Sequence, residues 1–177
     1  MPNDDLLWLE QVESGTTPAD LPFLALKDTF VSGDPSNHRL SVRYFKQDAD
    51  GSLFGKVLFG PGTQGPPDHA HGGSMAALMD EAMGGSAWMV GFPVVAAQLN
   101  ITFRTMLPLG TRCLVKARVL EIKGRKIQTT GELVSATEEK LFCKGEALFV
   151  ILDHGKIESL SDKAQVIVER MKKQDVD

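Results

Sequence analysis

Residues 97–104 alternate strictly. Ala97, Leu99, Ile101 and Phe103 are apolar, and Gln98, Asn100, Thr102 and Arg104 between them are polar. A period of two puts the apolar set on one face of a strand. The same period predicts strands at 38–45 and 52–60, joined through "KQDADG", and at 112–122 and 126–136, joined through "KGRK"; a last strand covers 141–152. Two stretches break this rhythm. Residues 61–73, "PGTQGPPDHAHGG", are too rich in glycine and proline for regular structure. Residues 74–89 carry alanine and methionine without proline and read as one helix, begun by Gly72–Gly73 or Ser74 and ended near Gly91 and Pro93.

The ends are less regular. Residues 4–13 predict a short amphipathic helix, 14–37 an irregular stretch, and 161–174 a C-terminal helix capped by Ser161. The expected organisation is an N-terminal extension over 1–37, a core domain over 38–160 and a C-terminal helix or tail over 161–177. About six antiparallel strands and one long helix give an α+β class, with the sheet wrapped around a central helix. Gly84 and Gly85 inside that helix each cost about 1 kcal/mol against alanine, which makes sense where something packs very close.

Composition narrows the function classes. The 177 residues are 42% hydrophobic and 24% charged, ordinary for one globular domain. A net charge of −4 offers no general attraction to nucleic acid or an anionic membrane. Cys113 and Cys143 are the two cysteines, too few for a disulfide framework, and they read as buried strand residues in a reducing compartment. No apolar run reaches spanning length, so a cytoplasmic protein without a membrane span is expected.

The chemistry concentrates in "DHAHGGSMAALMDEAMGG", residues 68–85. Asp80 sits on a small, apolar helix with no charge partner one turn away, and Glu81 follows it. Such a carboxylate is either a solvent-facing residue or a base or nucleophile with a raised pKa. Glu81 lies about 100° round the helix from Asp80, so only one of the two faces a given site, and Asp80 is the candidate. Gly72 and Gly73 either permit the loop-to-helix turn or expose unpaired N–H groups at the positive end of a helix, an oxyanion hole for a thioester or ester carbonyl. Eight residues separate Gly72 from Asp80, about 12 Å along a helix. One carbonyl cannot touch both within one chain. If both serve one reaction, a two-fold dimer must bring Asp80 of one copy to Gly72 of the other.

The series HGG, an Asp nine residues after the His, then Asn100, Phe103 and Leu107–Pro108, with the "KGRK" hairpin beyond, resembles the hotdog-fold acyl-CoA thioesterases of the phenylacetate-type and thioesterase-superfamily-member branches. The resemblance covers roughly residues 38–152. It implies a hotdog fold and a homodimer or dimer of dimers that hydrolyses acyl- or aryl-CoA. It gives Asp80 the base or nucleophile role, Gly72 the oxyanion N–H, and His71 and Gln64 supporting roles. Arg125 above all, with Lys126, Arg104 and Gly73, becomes a candidate contact for coenzyme A, although a basic hairpin tip is otherwise a solvated turn. No cofactor is implied beyond the coenzyme A of the substrate.

Two departures stand out. Gly65 occupies a place where many members carry Asn or Gln, with Gln64 beside it. Ala96 occupies a place where many carry Ser or Thr. Both favour a second reading, an acyl-CoA-binding module without turnover. A hydratase on the same fold is a third, against which the HGG context argues for carbonyl polarisation. Asp68, His69 and His71 in "DHAH" find no further His or Cys cluster to complete a tetrahedral set, so no metal is expected.

Overall fold

The computed structural model describes residues 3–26 and 29–153. Helix α1 (Asn3–Glu10) precedes a short strand β1 (Thr16–Pro18) and a 3₁₀ turn at Pro22–Ala25. Then come β2 (Leu40–Gln47), β3 (Leu53–Phe59), the long helix α2 (Gly72–Met89) and β4 (Val94–Phe103). Strands β5 (Cys113–Lys123), β6 (Lys126–Ser135) and β7 (Leu141–Ile151) complete the sheet. The expected C-terminal helix over 161–174 lies outside the described residues.

All seven strands form one antiparallel sheet in the order β1-β2-β3-β5-β6-β7-β4. The six strands expected from periodicity are present. The seventh, β1, falls in the stretch read as irregular. Its three residues pair with the end of β2, Thr16 opposite Gln47, and three residues carry no measurable period. The sheet curls around α2, whose Leu78, Met79, Ala82 and Met83 are fully buried against Val57, Val115, Ile127, Leu133 and Cys143.

Close approach explains the small residues. Gly131 on β6 stands opposite Gly145 on β7. A Cβ at Gly131 would lie 3.1 Å from both Met79 and Met83 side chains and 3.0 Å from the Lys116 carbonyl. The two methionines fill the groove that this glycine pair opens. On the helix, a Cβ at Gly84 would meet Phe149 at 3.3 Å and one at Gly85 would meet Leu53 at 3.0 Å, the close packing its two glycines predict.

Every residue of β3 is buried. One face meets α2. The other carries Lys56, covered by α1 and its following loop. Lys56 Nζ donates to the Trp8 and Gln11 carbonyls at 3.2 and 2.7 Å and pairs with Glu13 at 2.6 Å. The Trp8 and Phe45 rings lie 5.2 and 5.8 Å from the same ammonium. This buried cation, satisfied on all sides, seats the N-terminal extension on the sheet.

Strand β4 departs from its period. Its alternation predicts one buried face, yet Val95 through Asn100, Thr102 and Phe103 are all exposed. The strand lies at the sheet edge, pairs only with β7, and carries an irregularity between Ala96 and Gln98 that shifts its register. Val95 (48% exposed), Leu99 (38%) and Phe103 (50%) leave an apolar edge uncovered in the single chain.

Candidate active site

The loop over 61–71 is tied down at every step before α2 begins. Thr63 accepts from the His71 N–H at 2.7 Å, and Gly65 N–H donates to the His69 carbonyl at 2.9 Å. On the other side, Ala70 N–H donates to the Leu107 carbonyl at 2.8 Å and Leu109 N–H to the Asp68 carbonyl at 2.9 Å. The Leu107–Pro108 turn is thus zipped to the "DHAH" segment, and Leu107 is fully buried. These bonds fix the direction in which α2 starts.

The cap is His71 itself, in place of the glycines or Ser74 expected from sequence. Its Nδ1 accepts from the Gly73 N–H at 2.9 Å, and its carbonyl accepts from Ser74 at 3.0 Å. An imidazole nitrogen can fill the role of a capping oxygen because its in-plane lone pair accepts from a backbone N–H. The Gly73 N–H is therefore committed. The Gly72 N–H has no hydrogen-bond partner among the described residues, and Phe103 packs over this glycine, where a Cβ would lie 3.3 Å from its ring. One amide at the positive end of an 18-residue helix is left free to hold a developing negative charge.

Asp80 stands about 12 Å further along α2. It is half-buried, and its Oδ1 is buried without a hydrogen-bond partner among the described residues. Removal from water raises its carboxyl above the ordinary value. Asp80 opens onto a cavity of about 410 Å³ between α2, the start of β4 and residues 29–31. Ala96 lines the same cavity.

Glu81 points to the other side, as the helical rotation predicts. Its carboxyl accepts from Tyr44 Oη at 3.0 Å and Ser32 Oγ at 3.2 Å. Burial pushes its pKa up to about 7 against these hydrogen bonds. Neither Tyr44 nor Ser32 carries a sequence signal, since they lie 37 and 49 residues away.

The remaining candidates separate. Gln64 is exposed, and its Oε1 accepts from the Asp68 N–H at 3.4 Å. Arg125 donates from Nη2 to the Ile151 carbonyl at 3.1 Å, which places it where β7 ends opposite Val94. Lys126 is exposed beside it. Arg104 follows the far end of β4, about 30 Å from Val94 at strand spacing, and lies near the start of α2. His69 Nδ1 lies 2.8 Å from the Pro67 carbonyl, and among the described residues no three His, Cys, Asp or Glu groups are placed to hold a metal. Burial pushes the Cys113 and Cys143 thiols up to about 12, which removes them as nucleophiles.

Residues 68–142, the span that holds the capped helix, Asp80 and the Leu107–Pro108 turn, match the Thioesterase superfamily. That span is similar to thioesterase-superfamily domains, and the fold is a hotdog. The domain is 27% identical over 161 residues to acyl-coenzyme A thioesterase THEM4 of Xenopus laevis, covering 82% of this chain and 72% of that protein. It is 31% identical over 134 residues to human acyl-coenzyme A thioesterase THEM5, covering 69% of this chain and 54% of that protein. This chain therefore spans about half the length of the human relative. A crystal structure of a thioesterase superfamily protein is 32% identical, covers 62% of this chain and 53% of its own, and superposes with a TM-score of 0.58. Among the described residues, no helix of the hotdog domain is long and apolar enough to cross a membrane.

Proposed function

We propose that two copies of this chain hydrolyse an acyl-coenzyme A thioester to the free acid and coenzyme A. The observation that carries this is the pair of unmet groups on α2, the Gly72 N–H and the buried Asp80 Oδ1, too far apart to serve one carbonyl in one chain. Because β4 runs back along α2, two β4 edges paired antiparallel across a two-fold axis set the two helices antiparallel as well. Asp80 of each copy then faces the other copy's Gly72. The uncovered apolar edge of β4 supports that pairing.

In this site Gly72 N–H holds the carbonyl oxygen as it gains charge. Asp80 takes a proton from water while the water oxygen bonds to the carbonyl carbon. The carbon–sulfur bond breaks, and the sulfur leaves as thiolate and takes up that proton. His71 sets the direction of the Gly72 N–H through its capping bond to Gly73. The same antiparallel pairing brings Arg104 of one copy toward the Arg125 end of the other, two cations for the coenzyme A phosphates.

Thiol release from a panel of acyl-CoAs tests the reading, with wild type and Asp80→Asn side by side. The expected result is turnover by wild type and a loss of about 10²–10⁴-fold in the variant, with acyl-CoA still bound. Binding without turnover in wild type would establish an acyl-CoA-binding module instead, the reading that Ala96, with no hydroxyl to orient water, favours.

A further inference from the structure

Glu81 follows the proposed base and takes no part in the chemistry above, yet it is buried and doubly bonded. Its two partners come from separate parts of the chain. Tyr44, on β2, is buried at 4% exposure. Ser32 belongs to residues 29–33, a short strap laid against α2 between β1 and β2. The strap holds itself in shape: Thr29 Oγ1 and Ser32 Oγ lie 3.3 Å apart, Val31 is buried in the core, and the Arg39 guanidinium lies 5.8 Å from the Phe30 ring. The Glu81 carboxyl is the side-chain hydrogen-bonding group through which this strap is tied to the helix.

The strap forms one wall of the cavity beside Asp80. Phe23, Phe30, Val31, Trp88, Val94 and Phe149 supply most of the rest, and among the described residues Thr29, Asp80 and Glu81 are its polar linings. Trp88 lies two turns beyond Asp80 and meets the Phe23 ring edge-on at 6.2 Å. Phe30 is 69% exposed, a large aromatic left at the rim of an apolar slot. At about 410 Å³ the slot is of ligand-binding size. Apart from Thr29 and the two carboxyls its described lining is apolar, so a hydroxylated or charged acyl group would lose most of its hydration there without replacement.

We propose that Glu81 is a positioning residue that latches residues 29–33 across this slot, so that Phe30 and Val31 wall a site for an apolar fatty-acyl chain whose thioester carbonyl reaches Asp80. The proposal rests on the reading of Asp80 as the base. Carboxylate at residue 80 does the chemistry, and carboxyl at residue 81 sets how long a chain the chemistry receives.

The test measures kcat and KM for saturated acyl-CoAs from acetyl to palmitoyl, in wild type, Ser32→Ala, Glu81→Ala, Glu81→Gln and Phe30→Ala. Calorimetric Kd values for the same series in an Asp80→Asn background are read in parallel. Losing the tether in Ser32→Ala or Glu81→Ala should raise KM for the longer chains about tenfold, with kcat moved far less. Glu81→Gln should restore the wild-type length profile, because an amide accepts from Tyr44 and donates to Ser32. Phe30→Ala, at an exposed position that folding does not need, should weaken long-chain binding alone. An equal shift at every chain length, or an unmoved profile, would overturn the latch. Absence of turnover by wild type would overturn the thioesterase reading, while the Kd series would still decide on the latch.

Discussion

Gly65 stands where a side chain would collide with the helix cap: a Cβ there would lie 2.8 Å from His71 Cα. The loop closes over His71 by doing without one, at a place where the family resemblance leads one to expect Asn or Gln. Gly65→Gln should therefore push the cap aside and lower kcat together with the melting temperature. At Asp80, desolvation raises the carboxyl pKa, and a base must be ionised to act. The rate kcat/KM should rise with pH through an apparent pKa above the ordinary carboxyl value of 3.8, a profile that steady-state kinetics would trace. Glu81 gives the opposite sign for stability. Its pKa is raised from 4.5 to about 7, so the folded state holds the proton more tightly. That contribution is fully present below pH 4.5 and is lost as pH rises through about 7. Urea denaturation across this window should show falling stability, and Glu81→Gln should flatten the slope.

At the scale of elements, α2 is gripped because Met79 and Met83 enter the groove between Gly131 and Gly145. Gly131→Ala brings a methyl within 3.0 Å of the Lys116 carbonyl, which is backbone and cannot rotate away. It should cost about 1–3 kcal/mol in chemical denaturation without touching the site. The helix and six strands were legible because their periods run for seven residues or more. The three-residue β1 was not, and neither was the exposure of β4, since alternation reports a strand that has two faces but not what covers them. The placement of Asp80 and Gly72 on one helix, eight residues apart, was legible from the sequence pattern. The bond of His71 to Gly73 was not, because histidine is rarely counted as a cap. The strap and its tether to Glu81 were hidden for a different reason: a contact across 49 residues leaves no local pattern.

For the whole molecule, the uncovered edge of β4 is where the proposed two-copy site would be assembled. Leu99→Lys puts a charge on that edge. Sedimentation should show single chains where wild type sediments as dimers, and turnover should vanish with them. The strand order carries a consequence for biosynthesis too. Among the described residues, strand β4 finds its sheet partner only in β7, with β5 and β6 laid down between. On an elongating chain, the largely apolar segment 94–103 waits until β7 has emerged, and α2 stays open along that flank. Long-range closure of this kind is slow, and a stranded edge is what chaperones and aggregates both recognise. Nascent chains stalled before residue 141 should remain protease-sensitive in 94–103, and become resistant once β7 has cleared the ribosome.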